Sequence, residues 1–187
     1  MCDEKKNKYG TIILILYVDG ILVSSDDELD NHWLIHELEK EHGTISVDLK
    51  DTFTYLGMVL KKESNGEIQV YMPGYIEMML SEYEKTRKIK SYTTPVAITL
   101  FSVDKESKEL ENKEAKHYHT SVARLLYLCR RVRIDVYLPV LYLYTKVKCP
   151  TESDLTRLDR VMGYTSLTKH KRRSISGDGN MDRFLHL

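Results

Sequence analysis

Residues 10–25 read GTIILILYVDGILVSS, two apolar runs rich in β-branched residues and separated by Asp19-Gly20. Such a stretch folds back on itself as antiparallel strands and needs something to cover its apolar face, because alternate residues of a strand share one side of a sheet. Asp-Gly is favoured in a two-residue hairpin turn, whose central positions both take positive φ. The run therefore predicts a hairpin turning at Asp19-Gly20. It also poses a question: whether Asp19 serves the turn alone or presents a carboxylate at its tip.

The neighbouring segments supply what a hairpin needs. Ser25 or Asp26 can cap a helix over DDELDNHWLIHELEKEHG, with Leu29, Trp33, Leu34 and Leu38 as its apolar face and Gly43 as its stop. A short strand is predicted around ISVDL, followed by two strand-like runs in TYLGMVLKKESNGEIQVYM joined through Asn65-Gly66. Pro73 suits the first turn of a helix whose apolar positions are Ile76, Met79, Leu80 and Tyr83. KTRKIKSYTTPVAITLF has no period and contains Pro95, so it reads as a connection.

Helical spacing dominates from there. Tyr118, Val122, Leu125, Leu126 and Cys129 form one stripe; IDVYLPVLYLYTKV is apolar all round and should bend at Pro139; Thr151 or Ser153 caps a helix carrying Leu155, Leu158 and Met162. The tail from Lys169 has no usable period and is expected to be loose. The fold class is α+β.

Composition narrows the function classes. With 28 Lys+Arg against 28 Asp+Glu the formal net charge is zero, so bulk charge argues for no polyanionic partner. The N-terminus MCDEKKNKYG is too polar for a signal peptide, and Ile12 to Leu16 is far shorter than the roughly 20 apolar residues of a membrane span, so an intracellular protein without membrane contact is expected. Cys2, Cys129 and Cys149 form no CxxC pair and indicate neither a disulfide framework nor a zinc site. His32 and His36 lie at i and i+4 but lack a Glu in HExxH register, Ser24 and Ser25 lack a GxSxG context, and His117 and His119 read as surface residues. Basic residues cluster at Lys61-Lys62, at 85–90, at Arg130, Arg131 and Arg133, and at 169–173. Each run is more often a solvated face than a binding site, yet patches sharing one face would give a salt-sensitive grip on nucleic acid.

The order of these pieces resembles the C-terminal part of the reverse transcriptase of copia-type LTR retrotransposons. The matching stretches are ILYVDGILVSS, DLKDTFTYLGMVL, NGEIQVYMPGYIEMML, TTP, YHTSVARLLYLCRRVRIDVYLPVLYL and DLTRLDRVMGYTSLT, over residues 10–168. The resemblance implies a partial palm with a first thumb helix over residues 10–91 and a helical connection-like region over 92–168, flanked by a polar segment at 1–9 and a basic tail at 169–187. It implies that Tyr17 and Asp19 fall on the Tyr and first Asp of the family's Tyr-x-Asp-Asp turn, whose carboxylate helps hold Mg²⁺, and that Leu56 and Gly57 belong to a segment that grips the primer terminus beside Lys61 and Lys62. The implied partner is an RNA or DNA template-primer.

The departures from the family pattern matter chemically. Gly20 stands where the second Asp should be, and Asp26 and Asp27 lie on the order of 20 Å along the strand from the turn. Transfer by two metals needs ions about 3.5–4 Å apart, held by carboxylates from more than one strand. The expectation is a truncated reverse-transcriptase fragment, inactive as this chain alone, in which Asp19 is a vestige and nucleic-acid binding persists. The alternative is an interaction module, self-associating or pairing with another protein through an uncovered edge of the first hairpin.

Overall fold

The apolar runs of residues 10–25 form the centre of a four-stranded antiparallel sheet, in which β1 (Cys2–Lys6), β2 (Thr11–Tyr17), β3 (Gly20–Ser25) and a terminal strand (Arg183–His186) are neighbours in that order. This computed structural model describes residues 2–6, 11–18, 20–25, 27–98, 100–102, 104, 106–176 and 183–186, with 2–6 and 183–186 as backbone. The chain divides into two compact units, Met1–Val70 with Ser174–Leu187, and Tyr71–Arg173.

The hairpin forms, but not at the expected dipeptide. Tyr17 pairs with Gly20, so Gly20 belongs to β3 rather than to the turn, and Val18 takes φ 56°. A β-branched residue in the left-handed region is strained by roughly 1–2 kcal/mol. The gain lies at the other end of the strands: Leu14 stands opposite Val23, and Asp27 is left beyond β3. There the Asp27 carboxylate accepts the Leu29 N–H and caps α1 (Glu28–His42), in place of the expected Ser25 or Asp26. The uncovered hairpin edge expected from the sequence is also not found, since β1 pairs with β2 and Arg183–His186 with β3.

α1 ends at Gly43, whose φ of 80° and N–H to Glu39 O make the predicted stop. Its inward face differs from the expected one. Ile12, Val23 and Leu34 form the core with Leu14, Ile21, Ile35, Leu38 and Val47 packed around them, while Leu29 is 65% exposed and Trp33 lies at the surface. Ser25 donates to Asn31 Oδ1 at 2.8 Å, beside the inward stripe of Asn31, Leu34 and Leu38. ISVDL is not a strand: Asp48 makes a single bridge within an otherwise irregular loop.

The second sheet of this unit contains β4 (Thr52–Tyr55), β5 (Met58–Lys62), β6 (Ile68–Tyr71) and β7 (Arg173–Ile175) in that order. TYLGMVL, read as one strand-like run, is two strands. Tyr55 pairs with Met58 around a turn in which Leu56 has φ 51° and Gly57 φ 75°. The expected Asn65-Gly66 turn follows, with Gly66 at φ 81° and Asn65 Oδ1 accepting the Glu67 N–H. The tail expected to be loose thus supplies β7 and, as Arg183–His186, β8.

The second unit is helical: α2 (Pro73–Glu84), α3 (Asn112–Arg131), a 3₁₀ turn (Ile134–Val136), α4 (Tyr137–Thr145) and α5 (Glu152–Leu167). The compact units divide at residues 70 and 71, so α2 belongs with these helices and not with the residues before it. Ile76, Met79, Leu80 and Tyr83 are all buried, as their spacing predicts. Tyr83 donates to Asp159 Oδ1 at 2.8 Å, which ties the end of α2 to α5, and Arg87 grips the same carboxylate through Nε and Nη2. In α3 the buried stripe is Tyr118, Val122, Leu125, Leu128 and Cys129, with Leu128 in the place expected of Leu126. Pro139 does not bend a helix; it sits in the first turn of α4, where an N–H would have no intrahelical partner. Thr151 caps α5 in a capping box with Asp154, and Leu155, Leu158 and Met162 are buried as expected.

Arg133, expected on a basic surface, is 1% exposed. Its Nε and Nη2 donate to the two Asp135 oxygens at 2.9 and 3.0 Å, and Nη1 and Nη2 to Thr168 O and Oγ1 at 3.1 and 2.7 Å. Tyr164 and Lys171 also donate to Asp135 Oδ2. Burial alone would raise the Asp135 carboxyl, but the hydrogen bonds and charge of Arg133, aided by Tyr164 and Lys171, hold it at about 2. A folded value below the unfolded one means the contribution is complete above about pH 4 and disappears as the pH falls through about 2. After allowance for solvent screening it is worth roughly 1–2 kcal/mol. Asp135→Asn should flatten the acid limb of a stability profile measured between about pH 4 and 2; an unchanged slope there would refute the assignment.

Candidate nucleic-acid interface

The hairpin β2–β3 emerges from its core: Ile12 is buried at the base, and toward the turn Ile15, Leu16, Tyr17 and Val18 are 42, 54, 57 and 83% exposed. Exposing consecutive large apolar residues at a strained turn is unfavourable for an isolated fold, and such a patch commonly marks a contact surface.

That tip opens onto a hollow of about 670 Å³ within the first unit. Tyr17, Val18 and Gly20 line it from the first hairpin, Thr54, Tyr55 and Leu56 from the turn of the second, and Ser46, Val47, Asp48 and Lys50 from the loop after α1. Sequence positions about forty apart are thereby brought to one surface. Tyr55 fixes the arrangement: it is 5% exposed and donates from its hydroxyl to Ile15 O at 3.3 Å, so the second sheet is hydrogen-bonded to the strand that carries the tip. Burial, and then the neighbouring Tyr17, push the Tyr55 phenol above its ordinary value, keeping it a hydrogen-bond donor.

The residues singled out in the sequence divide accordingly. Tyr17 and Leu56 meet on the hollow, and Gly57 completes the turn beside it. Asp19 lies outside the described residues. Lys61 pairs with Glu63 at 2.9 Å, and Lys62 lines a different hollow with Glu28, His32 and Asp51 near the start of α1. Strand alternation separates these two lysines, so they do not act as one patch. Sequence reasoning missed Tyr55, Asp48 and Lys50. For Tyr55 the signal was present, a Tyr directly before Leu56-Gly57; for the loop residues there was none.

The donor set of the hollow can be weighed against Mg²⁺, which binds through carboxylates with the rest of its shell water or phosphate. Asp48 is the carboxylate among the described lining residues. Its Oδ1 accepts the Lys50 N–H at 3.2 Å and lies 3.8 Å from Lys50 Nζ, so the ammonium already opposes its charge. Gly20 brings no donor. These residues do not fit a two-ion site, and among the described residues no group of three His, Cys, Asp or Glu side chains is placed to hold a metal. What the hollow offers is an aromatic face, apolar edges and one lysine, a combination suited to stacking a base or sugar beside a phosphate.

Several residues of the other basic runs are engaged within the second unit. Arg131 stacks 3.6 Å from the Tyr127 ring centroid, Arg172 lies 4.5 Å from that of Tyr71, and Lys171 pairs with Asp135. No helix among the described residues is long and apolar enough to cross a membrane.

Comparison with known proteins adds one relative. The chain is 28% identical over 160 residues to the Saccharomyces cerevisiae protein named "Putative transposon Ty5-1 protein YCL074W". The match covers 86% of this chain and 50% of the relative, so the chain spans about half the length of the curated protein it matches. No family model and no solved structure matches. The similarity supports a retrotransposon origin.

Proposed function

We propose that this retroelement-derived chain is a segment of a reverse-transcriptase palm and thumb that holds a nucleic-acid strand at the hollow of the first unit and does not polymerise by itself. The observation that carries the reading is the meeting of Tyr17 with Leu56: the two segments for which the family resemblance implies a place at the template-primer line one hollow. The order of the motifs and the likeness to a transposon protein support the same reading.

In this reading Tyr17 offers its ring to a base or sugar, Val18 and Leu56 bound it, and Lys50 faces a phosphate once its pairing with Asp48 loosens. Stacking of this kind contributes about 1–3 kcal/mol per base, and a single lysine a salt-sensitive increment. Chemistry fails for want of carboxylates: with Gly20 beside Asp19, the turn offers one carboxylate where two-metal transfer uses several.

The test has two arms. Fluorescence anisotropy with a labelled primer-template should show binding that weakens with salt and falls roughly tenfold in Tyr17→Ala, the lower part of the stacking range. Primer extension in Mg²⁺ should yield no template-dependent product from this chain. Undiminished binding by Tyr17→Ala would remove the hollow from the proposal, and clear synthesis would overturn the proposed inactivity.

A further inference from the structure

The connection before α3, read from sequence as an aperiodic basic linker, folds along α5 and encloses two hollows that share Tyr92 and Thr156 in their walls. The first, of about 350 Å³, is lined by Pro95, Val96 and Leu100 and by Arg157 and Arg160; the second is lined by Arg87, Lys88 and Lys90. Five cations thus border one continuous stretch of surface within the second unit.

Not all five are available. Arg87 is held by Asp159, and Arg157 donates to Asp154 Oδ1 at 2.9 Å and Ser102 O at 2.6 Å. Arg160, Lys88 and Lys90 have no ion pair among the described residues. Of the lining acids, Asp159 is occupied by Arg87, and Asp104 accepts the Glu106 N–H through Oδ1 at 3.1 Å. An excess of positive charge remains.

Arg160 is the unusual member. Its guanidinium lies 4.7 Å from the Tyr92 ring centroid and donates from Nη2 to Thr94 Oγ1 at 3.0 Å. Its Nε is buried with no hydrogen-bond partner among the described residues. A buried charged donor left unmatched is unfavourable, and such groups persist where something else completes them. A guanidinium fixed in plane by an aromatic ring presents parallel N–H groups that match a phosphate or similar oxyanion, and two neighbouring ammonium groups add charge without demanding geometry. The Ser153 hydroxyl, also on the walls, can donate to a further oxygen, while that of Thr156 is already given to Glu152 O.

We propose that the paired hollows along α5 form a phosphate-class oxyanion site, with Arg160 as its anchor and Lys88 and Lys90 as supporting charges. The site is separate from the hollow of the first unit and does not rest on the function proposed there. The oxyanion comes either from free phosphate or from the phosphodiesters of a strand.

Calorimetric titration of the full chain with inorganic phosphate in low-salt chloride tests the site, and competition by a single-stranded thymidylate oligomer identifies the source. Wild type should bind phosphate, and Arg160→Met should weaken binding by about tenfold or more, as expected for loss of a charge-assisted bidentate contact. Arg160→Lys keeps the charge without the planar fork and should fall between the two. Exposed Lys88→Ala and Lys90→Ala together should weaken binding whether or not the Arg160 variants fold well. Displacement of phosphate by the oligomer identifies a strand as the source, and phosphate binding without displacement identifies the free anion; both outcomes uphold the site. Tyr17→Ala should leave phosphate binding unchanged, which separates this proposal from the preceding one. No phosphate uptake by wild type, or equal affinity in a folded Arg160→Met, would overturn it.

Discussion

Arg133→Met is expected to destabilise the helical unit by about 3 kcal/mol, read as a lower urea midpoint in far-ultraviolet circular dichroism. The methionine fills much of the volume, so the loss is electrostatic. Removing the guanidinium strips four hydrogen bonds, two from the Asp135 carboxylate and two from the end of α5 at Thr168. The expected effect sits at the low end of the range for breaking a buried pair, because Asp135 is 29% exposed and keeps Tyr164 and Lys171 as donors. A double variant, Arg133→Met with Asp135→Leu, should recover part of the loss, since no carboxylate is then left without its partner. If the single variant unfolds at the wild-type urea concentration, the pair is not the lock described.

Gly163→Ala should have a comparable effect for a different reason. Gly163 lies in α5, where alanine would ordinarily favour the helix by about 1 kcal/mol. A Cβ at this position would collide with the Lys90 carbonyl oxygen and lie 2.7 Å from Tyr92 Cδ2. The carbonyl is backbone, so relief requires the connection to move away from α5, and overpacking of this kind commonly costs about 1–3 kcal/mol. Gly74, in the first turn of α2, has nothing within 4 Å of its would-be Cβ, and Gly74→Ala should be neutral or stabilising by a few tenths of a kcal/mol. Opposite signs at the two glycines, measured by thermal melts, are the expected result; equal shifts would show that the contact with Lys90 is not tight. Because Tyr92 also borders the α5 hollows, Gly163→Ala should weaken phosphate binding as well.

Much of the helical unit was legible from spacing. Ile76, Met79, Leu80 and Tyr83, then Leu155, Leu158 and Met162, repeat at helical intervals and are buried, because one face of a helix meets the core whatever the partner. The Asn65-Gly66 turn and the Gly43 stop were legible because they depend on local φ alone. Where two local solutions were nearly equal, the sequence was a poorer guide. Leu29 and Trp33 look as apolar as Leu34 and Leu38, and it is packing against Ile12 and Val23, with the Ser25 to Asn31 hydrogen bond beside it, that separates the inward stripe from the exposed one. Arg133 looks like its neighbours Arg130 and Arg131, and its burial depends on a residue 35 positions away.

The candidate sites follow the same division. From the sequence alone come a hairpin at residues 10–25, a Gly beside Asp19, an α+β chain turning helical after Pro73, and motifs whose order resembles that of a retroelement polymerase. These depend on residue type and spacing. Tertiary structure alone decided that Gly20 pairs with Tyr17 in the sheet, that Tyr17 and Leu56 share a hollow while Lys61 and Lys62 stand apart, and that an aperiodic linker lies against α5 beside Arg160. Strand register and side-chain pairing are settled by contacts between residues distant in sequence, whose energies no local pattern encodes.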